Sequence, residues 1–222
     1  GGSDVCSSDL KLRLQPLPLR AITVNGKGER AGAALAATPA LVDTLETYFA
    51  APFPYPKLDI ITPPNFLAGG MENAGAITYT ERAVLLSPAP SVSQRRYFEL
   101  IHAHEVAHQW FGDLVTPAWW NDIWLNEAFA SWAGNKSAAQ TWPADELDRE
   151  TTHDALDVMD RDALASARSI RQPIKSNGDI FNAFDGLTYN KGAAVLQMFE
   201  TWLGPDTFRE GVRLHKIGRA HV

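Results

Sequence analysis

Three observations predict an α+β domain with a sheet lobe followed by a helical lobe. Short strand-like runs all end by Glu81, helical spacing dominates from about Ser93 onward, and a stretch rich in turn formers, Pro63 to Gly75, separates two of the strands. The 222 residues are 45% hydrophobic, 10% aromatic and 21% charged, which is globular composition with enough apolar material for a sizeable core.

The elements follow in order. Arg20–Gly26 alternates as a strand does. Thr38 reads as an N-cap with Pro39 at the first helical position, and Leu41, Leu45, Tyr48 and Phe49 form the apolar stripe of the helix that follows. Ala51–Pro56 is an extended linker, and Lys57–Thr62 and Ala76–Glu81 are the next strands. Helices are predicted over Ser93–Phe111, Asp122–Gln140, Pro143–Leu164, Thr188–Leu203 and Asp206–His215; Gly204-Pro205 ends the fourth. The acidic run in the third is read as a solvated face.

A net charge of −6 and the absence of any basic run argue against a nucleic-acid partner. No apolar stretch reaches membrane-spanning length and no signal peptide is visible. The ends are unusual. Ile217–Val222 can be encoded by ATC GGA AGA GCA CAC GTC, whose reverse complement reads Asp-Val-Cys-Ser-Ser-Asp, the sequence of Asp4–Asp9. Residues 1–10 and 217–222 are therefore expected to be a translated sequencing adapter, leaving 11–216 for fold reasoning. Natural flanking sequence reproducing both ends would contradict this. The single cysteine, Cys6, lies in the excluded part, and no disulfide framework is expected.

Three of the six histidines fall in Leu100–Trp110. His104-Glu105-Val106-Ala107-His108 has the spacing H-E-x-x-H. On a helix, residues i and i+4 share a face, so two imidazoles there can bind one Zn²⁺ while the intervening glutamate accepts a proton from water. Such a pattern arises by chance about once in a hundred chains of this size, and two buried, hydrogen-bonded histidines remain the plain alternative. His102 lies about 200° around the helix from His104 and is assigned to packing or the surface. A catalytic zinc needs a third protein ligand. Glu127, separated from His108 by eighteen residues and on the next predicted helix, is either that ligand or a surface glutamate. Tryptophans 110, 119, 120, 124 and 132 fall within 23 residues and read as packing between these two helices.

"HEVAHQWFGDLVT" followed by "WLNEAF" resembles the gluzincin zinc aminopeptidases, the family of aminopeptidase N and leukotriene-A4 hydrolase. "GGMENAG" (Gly69–Gly75) is similar to that family's exopeptidase motif, and "LTYNKGAAVLQMF" (Leu187–Phe199) to the segment bearing its catalytic tyrosine. The resemblance covers about residues 11–216. It implies a thermolysin-like catalytic domain, a mixed β-sheet lobe followed by a helical lobe, and one Zn²⁺ held by His104, His108 and Glu127. It makes Glu105 the general base and Tyr189 the oxyanion donor. Glu72 would bind the substrate's free α-amino group, and Gly69, Gly70, Met71 and Asn73 would line the peptide path. Asp122 and Asn126 are candidate hydrogen-bond partners of the ligand histidines. The implied substrates are peptides with a free N-terminus, and the family's N- and C-terminal domains are missing from this chain.

Gly70 stands where the commoner motif has alanine. Ala74 and Phe181 differ from the hydrolase branch, which favours a peptidase over an epoxide hydrolase. An epoxide hydrolase with the same zinc site and a non-catalytic module that retains the fold are the two alternatives. Taken alone, Gly69-Gly70 reads equally as a turn and Tyr189 as a packed aromatic.

Overall fold

A computed structural model describes residue 13 and residues 15–219, with side chains as far as His215. The reading of residues 1–10 as adapter lies outside the described residues. At the other end only the helical backbone of 217–219 is described.

Four strands form one mixed sheet in the order β1-β2-β4-β3: β1 (Leu19–Thr23), β2 (Leu58–Thr62), β3 (Gly70–Met71) and β4 (Ala76–Tyr79). β1, β2 and β4 are parallel, with Ala21 opposite Ile60 and Ile60 opposite Ile77. The short β3 runs antiparallel to β4 at the edge, Met71 opposite Thr78. Parallel strands covered on both faces are apolar throughout, and Leu58, Ile60 and Ile77 are fully buried. The buried acid among them, Asp59, is held by Arg20 at 2.7 and 2.8 Å and by Lys57 at 2.8 Å. Those hydrogen bonds, Arg20 first, bring its pKa down to about 2.

The crossover from β1 to β2 is helix α1 (Gly32–Phe49). It begins six residues before the predicted cap, so Pro39 lies inside the helix. Thr38 is buried, and its hydroxyl donates to the Ala34 carbonyl at 2.7 Å instead of capping. The alanine-rich run ahead of it propagates the helix, and burial of the Leu41, Val42, Leu45 and Phe49 stripe offsets the backbone bond that the proline removes. After the short α2 (Glu81–Val84), α3 (Val92–His108) starts from a capping box at Ser91 and Gln94, and α4 (Ile123–Thr141) packs across it.

The predicted third helix of the helical lobe is interrupted. Pro143–Asp145 form a 3₁₀ turn, Glu146 adopts left-handed φ 50°, and α5 then runs over Leu147–Asp162. Its acidic face is largely exposed, with Asp148, Glu150 and Asp154 along the rim of the cleft. A one-turn α6 (Asn177–Ile180) leads to a π-helical turn at Leu187–Lys191, then α7 (Gly192–Leu203) and α8 (Pro205–Arg219). The predicted helix from Thr188 thus opens as a π-turn.

The tryptophan cluster divides. Trp110 and Trp132 are buried, Trp110 in tilted contact with Phe49 and edge-on to Phe53, and Trp132 edge-on to Tyr48, Phe129 and Phe208. Trp119 and Trp120 are 54% and 38% exposed and do not pack between the helices, because they precede α4 on a surface turn. No helix among the described residues is long and apolar enough to cross a membrane.

Candidate metal and active site

The i, i+4 spacing on α3 brings His104 and His108 to one face, their Nε2 atoms 2.9 Å apart. Glu127 reaches them from α4, its Oε2 3.3 Å from each Nε2. This reach depends on a close helix crossing. A Cβ at Gly134 would lie 2.8 Å from the backbone nitrogen of His104 and 2.9 Å from its Cα, so α4 touches the α3 backbone at His104, where only glycine fits.

Each remaining polar atom of the three is engaged elsewhere. His108 Nδ1 donates to the Phe111 carbonyl at 3.0 Å, and His104 Nδ1 meets Ser131 Oγ at 3.2 Å. Glu127 Oε1 accepts from Asn126 at 3.2 Å. Two imidazole nitrogens and one carboxylate oxygen are left converging within 4.8 Å of one another. The donor set and the hydrogen bonds that orient it fit a divalent metal that accepts nitrogen and oxygen ligands. The expected partners of the histidines were different. Asp122 instead pairs with Arg171 at 2.6 and 3.1 Å, because the 3₁₀ turn before α4 carries it to the surface. Asn126 serves the glutamates, donating to Glu127 and, at 3.3 Å, to Glu72 Oε1. Ser131 is not among the expected partners, although its position four residues after Glu127 on the same helix places both on one face.

Glu105 and Glu72 complete a second trio with His108. The backbone of β3 lies directly on Glu105: a Cβ at Gly70 would fall 2.1 Å from its Oε1. Glu105 Oε2 is buried with no hydrogen-bond partner among the described residues. Burial, opposed by His108 and reinforced by Glu72 and Glu127, raises the Glu105 pKa to about 8. Burial would lower His108, but Glu127 first, with Glu72 and Glu105, outweighs it and raises that pKa to about 10. Glu127, buried as well, is held far below the ordinary carboxylate range by His108 and His104.

Gln109, which no motif singles out, ties the glycine-rich loop to the end of α3. Fully buried, it donates to the Glu72 carbonyl at 2.9 Å and accepts from the Gly75 N–H at 2.8 Å. Gly69, Gly70, Met71 and Glu72 line a cleft of about 1430 Å³ together with Glu105, His104, His108 and Tyr189. Asn73 is not among the lining residues; its amide donates to Thr78 Oγ1 at 3.2 Å and its carbonyl accepts from Ala76, which holds the turn into β4. The Tyr189 ring lies 5.8 Å from that of His104. Burial first, then Glu127 and Glu105, raises its hydroxyl pKa far above the ordinary value, so the O–H stays a donor.

His102 faces the opposite way and is fully buried. Since Thr38 already donates to Ala34, its hydroxyl accepts from His102 Nε2–H at 2.9 Å, which leaves Nδ1 to accept from Tyr79 O–H at 2.9 Å. Burial lowers the His102 pKa to about 4, so this histidine is a neutral core residue.

The Peptidase family M1 domain matches residues 33–216. The chain belongs to peptidase family M1. Among M1 relatives, it is 41% identical over 191 residues to a probable aminopeptidase 1 of Sulfurisphaera tokodaii, covering 86% of this chain and 24% of that protein. It is 43% identical over 180 residues to endoplasmic reticulum aminopeptidase 2 of Bos taurus, 81% of this chain and 19% of that protein. With glutamyl aminopeptidase of Mus musculus the identity is 37% over 203 residues, 89% and 21% respectively. The chain thus spans about a quarter or less of the length of these M1 relatives. Its α+β architecture is that of a fragment of the M1 catalytic domain.

Proposed function

We propose that this chain is the catalytic portion of a zinc aminopeptidase that releases N-terminal residues from peptides. The observation that carries the reading is the convergence, in one cleft, of the His104, His108 and Glu127 donor atoms with Glu105, Glu72 and Tyr189. The names of the M1 relatives support the same activity class. His104, His108 and Glu127 would hold a zinc ion, which would supply Lewis acidity toward the scissile carbonyl and water.

The remaining roles belong to the chain itself. Glu105 takes the proton from the attacking water at its unpartnered Oε2 and delivers it to the leaving amine. Tyr189 donates its O–H to the oxyanion that develops on the substrate carbonyl. Glu72, steadied by Gln109 and Asn126, pairs with the substrate's α-ammonium, so a free amino terminus is selected. The backbone at Gly69–Met71 flanks the peptide at the edge of the sheet. Asn73 shapes the loop that presents Glu72.

The test is Glu105→Gln in the full-length protein, assayed on an aminoacyl anilide and on its N-acetyl counterpart. Turnover of the free-amine substrate should fall about 10²–10⁴-fold with zinc content unchanged, the range for loss of a general acid–base. The unsubstituted protein should leave the N-acetyl substrate intact. Undiminished turnover in the variant, or equal cleavage of both substrates, refutes the reading.

A further inference from the structure

We infer that Arg168 and Asp185 form a clamp that positions Tyr189 for catalysis. The inference rests on the proposed role of Tyr189 and adds two residues to it. Tyr189 lies on a π-helical turn, a form with poor intrinsic stability that is found mostly where a function requires it. Such a turn needs outside support at its first N–H groups, and here the support is specific. Asp185 Oδ1 accepts from the backbone N–H of Leu187 at 3.0 Å and of Thr188 at 3.2 Å, while the Asp185 carbonyl accepts from Thr188 at 3.0 Å and Tyr189 at 3.1 Å.

Asp185 is itself fixed by Arg168 from the preceding loop. The guanidinium engages both carboxylate oxygens, with Nε–Oδ2 at 3.1 Å and a second bond from Nη2 to Oδ1. Nη2 also reaches Thr188 Oγ1 at 2.9 Å and Nη1 the carbonyls of Ser169 and Ile170 at 2.9 and 3.0 Å. Thr188 is fully buried, and its hydroxyl donates to the Ala183 carbonyl. A planar bidentate pair restricts orientation as well as distance, so the turn and the tyrosine that follows Thr188 have one seat. Neither Arg168 nor Asp185 lines the cleft, so both act through Tyr189 and not on substrate.

The experiment measures kcat and KM for an aminoacyl anilide with full-length Asp185→Ala, Asp185→Asn, Arg168→Lys, Tyr189→Phe and the double variant Asp185→Ala/Tyr189→Phe. Asp185→Ala should lower kcat about 10–100-fold, with KM changed by no more than about twofold, because only a transition-state contact is displaced. Asp185→Asn keeps the acceptor and should recover most of the rate; Arg168→Lys keeps the charge without the fork and should fall between. The double variant should be no slower than Tyr189→Phe alone, since both changes remove one interaction. Zinc content should be unchanged throughout. If Tyr189→Phe is impaired while Asp185→Ala is not, or if the two losses multiply in the double variant, the clamp is overturned and the tyrosine reading stands. A fully active Tyr189→Phe overturns both. Should Asp185→Ala fail to fold, Asp185→Asn and Arg168→Lys decide alone: kcat and KM equal to the unsubstituted protein's in both overturn the clamp.

Discussion

One helix, α3, carries histidines on two faces, and the faces have opposite chemistry. His102 is sealed among Thr38, Tyr79 and the stacked ring of Phe98, with every polar atom answered by a neutral partner. His104 and His108 turn to a cleft where three carboxylates gather and their Nε2 atoms face one another. All three histidines are buried or nearly so, so burial does not separate the two classes. The partners do. A histidine whose two nitrogens both end in hydroxyls is a finished structural unit. A pair that spends only Nδ1 on the protein has Nε2 left for a ligand.

Three substitutions would break or sharpen this contrast. The largest effect is expected from His108→Ala, which should release the metal and lower turnover by about a thousandfold or more, the several kcal/mol of a lost Lewis acid. Metal analysis and anilide hydrolysis check it; metal retained at full stoichiometry would put the ligand elsewhere. The second concerns acid. The His102 imidazole titrates near 6.5 in the unfolded chain and near 4 in the fold. Between those values the unfolded chain takes up the extra proton, so this contribution to stability is complete above about pH 6.5 and is lost as pH falls toward 4. Denaturant unfolding at pH 7 and pH 4.5 should show a drop that is smaller in His102→Gln by about 2–3 kcal/mol. Metal content per folded molecule should be unaffected. A variant with the same acid sensitivity as the parent would show that His102 is not held neutral. The smallest effect is Ser131→Ala, which frees His104 Nδ1. Metal affinity should fall about tenfold, at the lower end of such losses, measured by chelator competition. No equivalent substitution exists for His108, whose partner is the Phe111 backbone.

The sequence made the division between His102 and the other two legible, because residues two apart cannot share a helix face while residues four apart must. It also carried the sheet-then-helix order and, through the resemblance, the candidate roles of Glu72, Glu105, Glu127 and Tyr189. Boundaries were less legible. Thr38 has the residue type of an N-cap, but burial against His102 turned its hydroxyl to Ala34 and let α1 start earlier. Asp122 has the charge of a histidine partner, but an arginine from a distant loop claims it.

What spacing along one helix determines, the sequence determined alone: two imidazoles on one side of α3 with a carboxylate between them. Contacts between segments far apart in the chain were decided only in the tertiary structure. Glu127 meets the histidines because Gly134 lets α4 touch the α3 backbone. Glu72 is held at the cleft by Gln109, and Tyr189 is seated by Asp185 and Arg168. Helical periodicity fixes directions around a single axis; it does not fix how closely two axes approach or which distant loop supplies a partner, and the site depends on both.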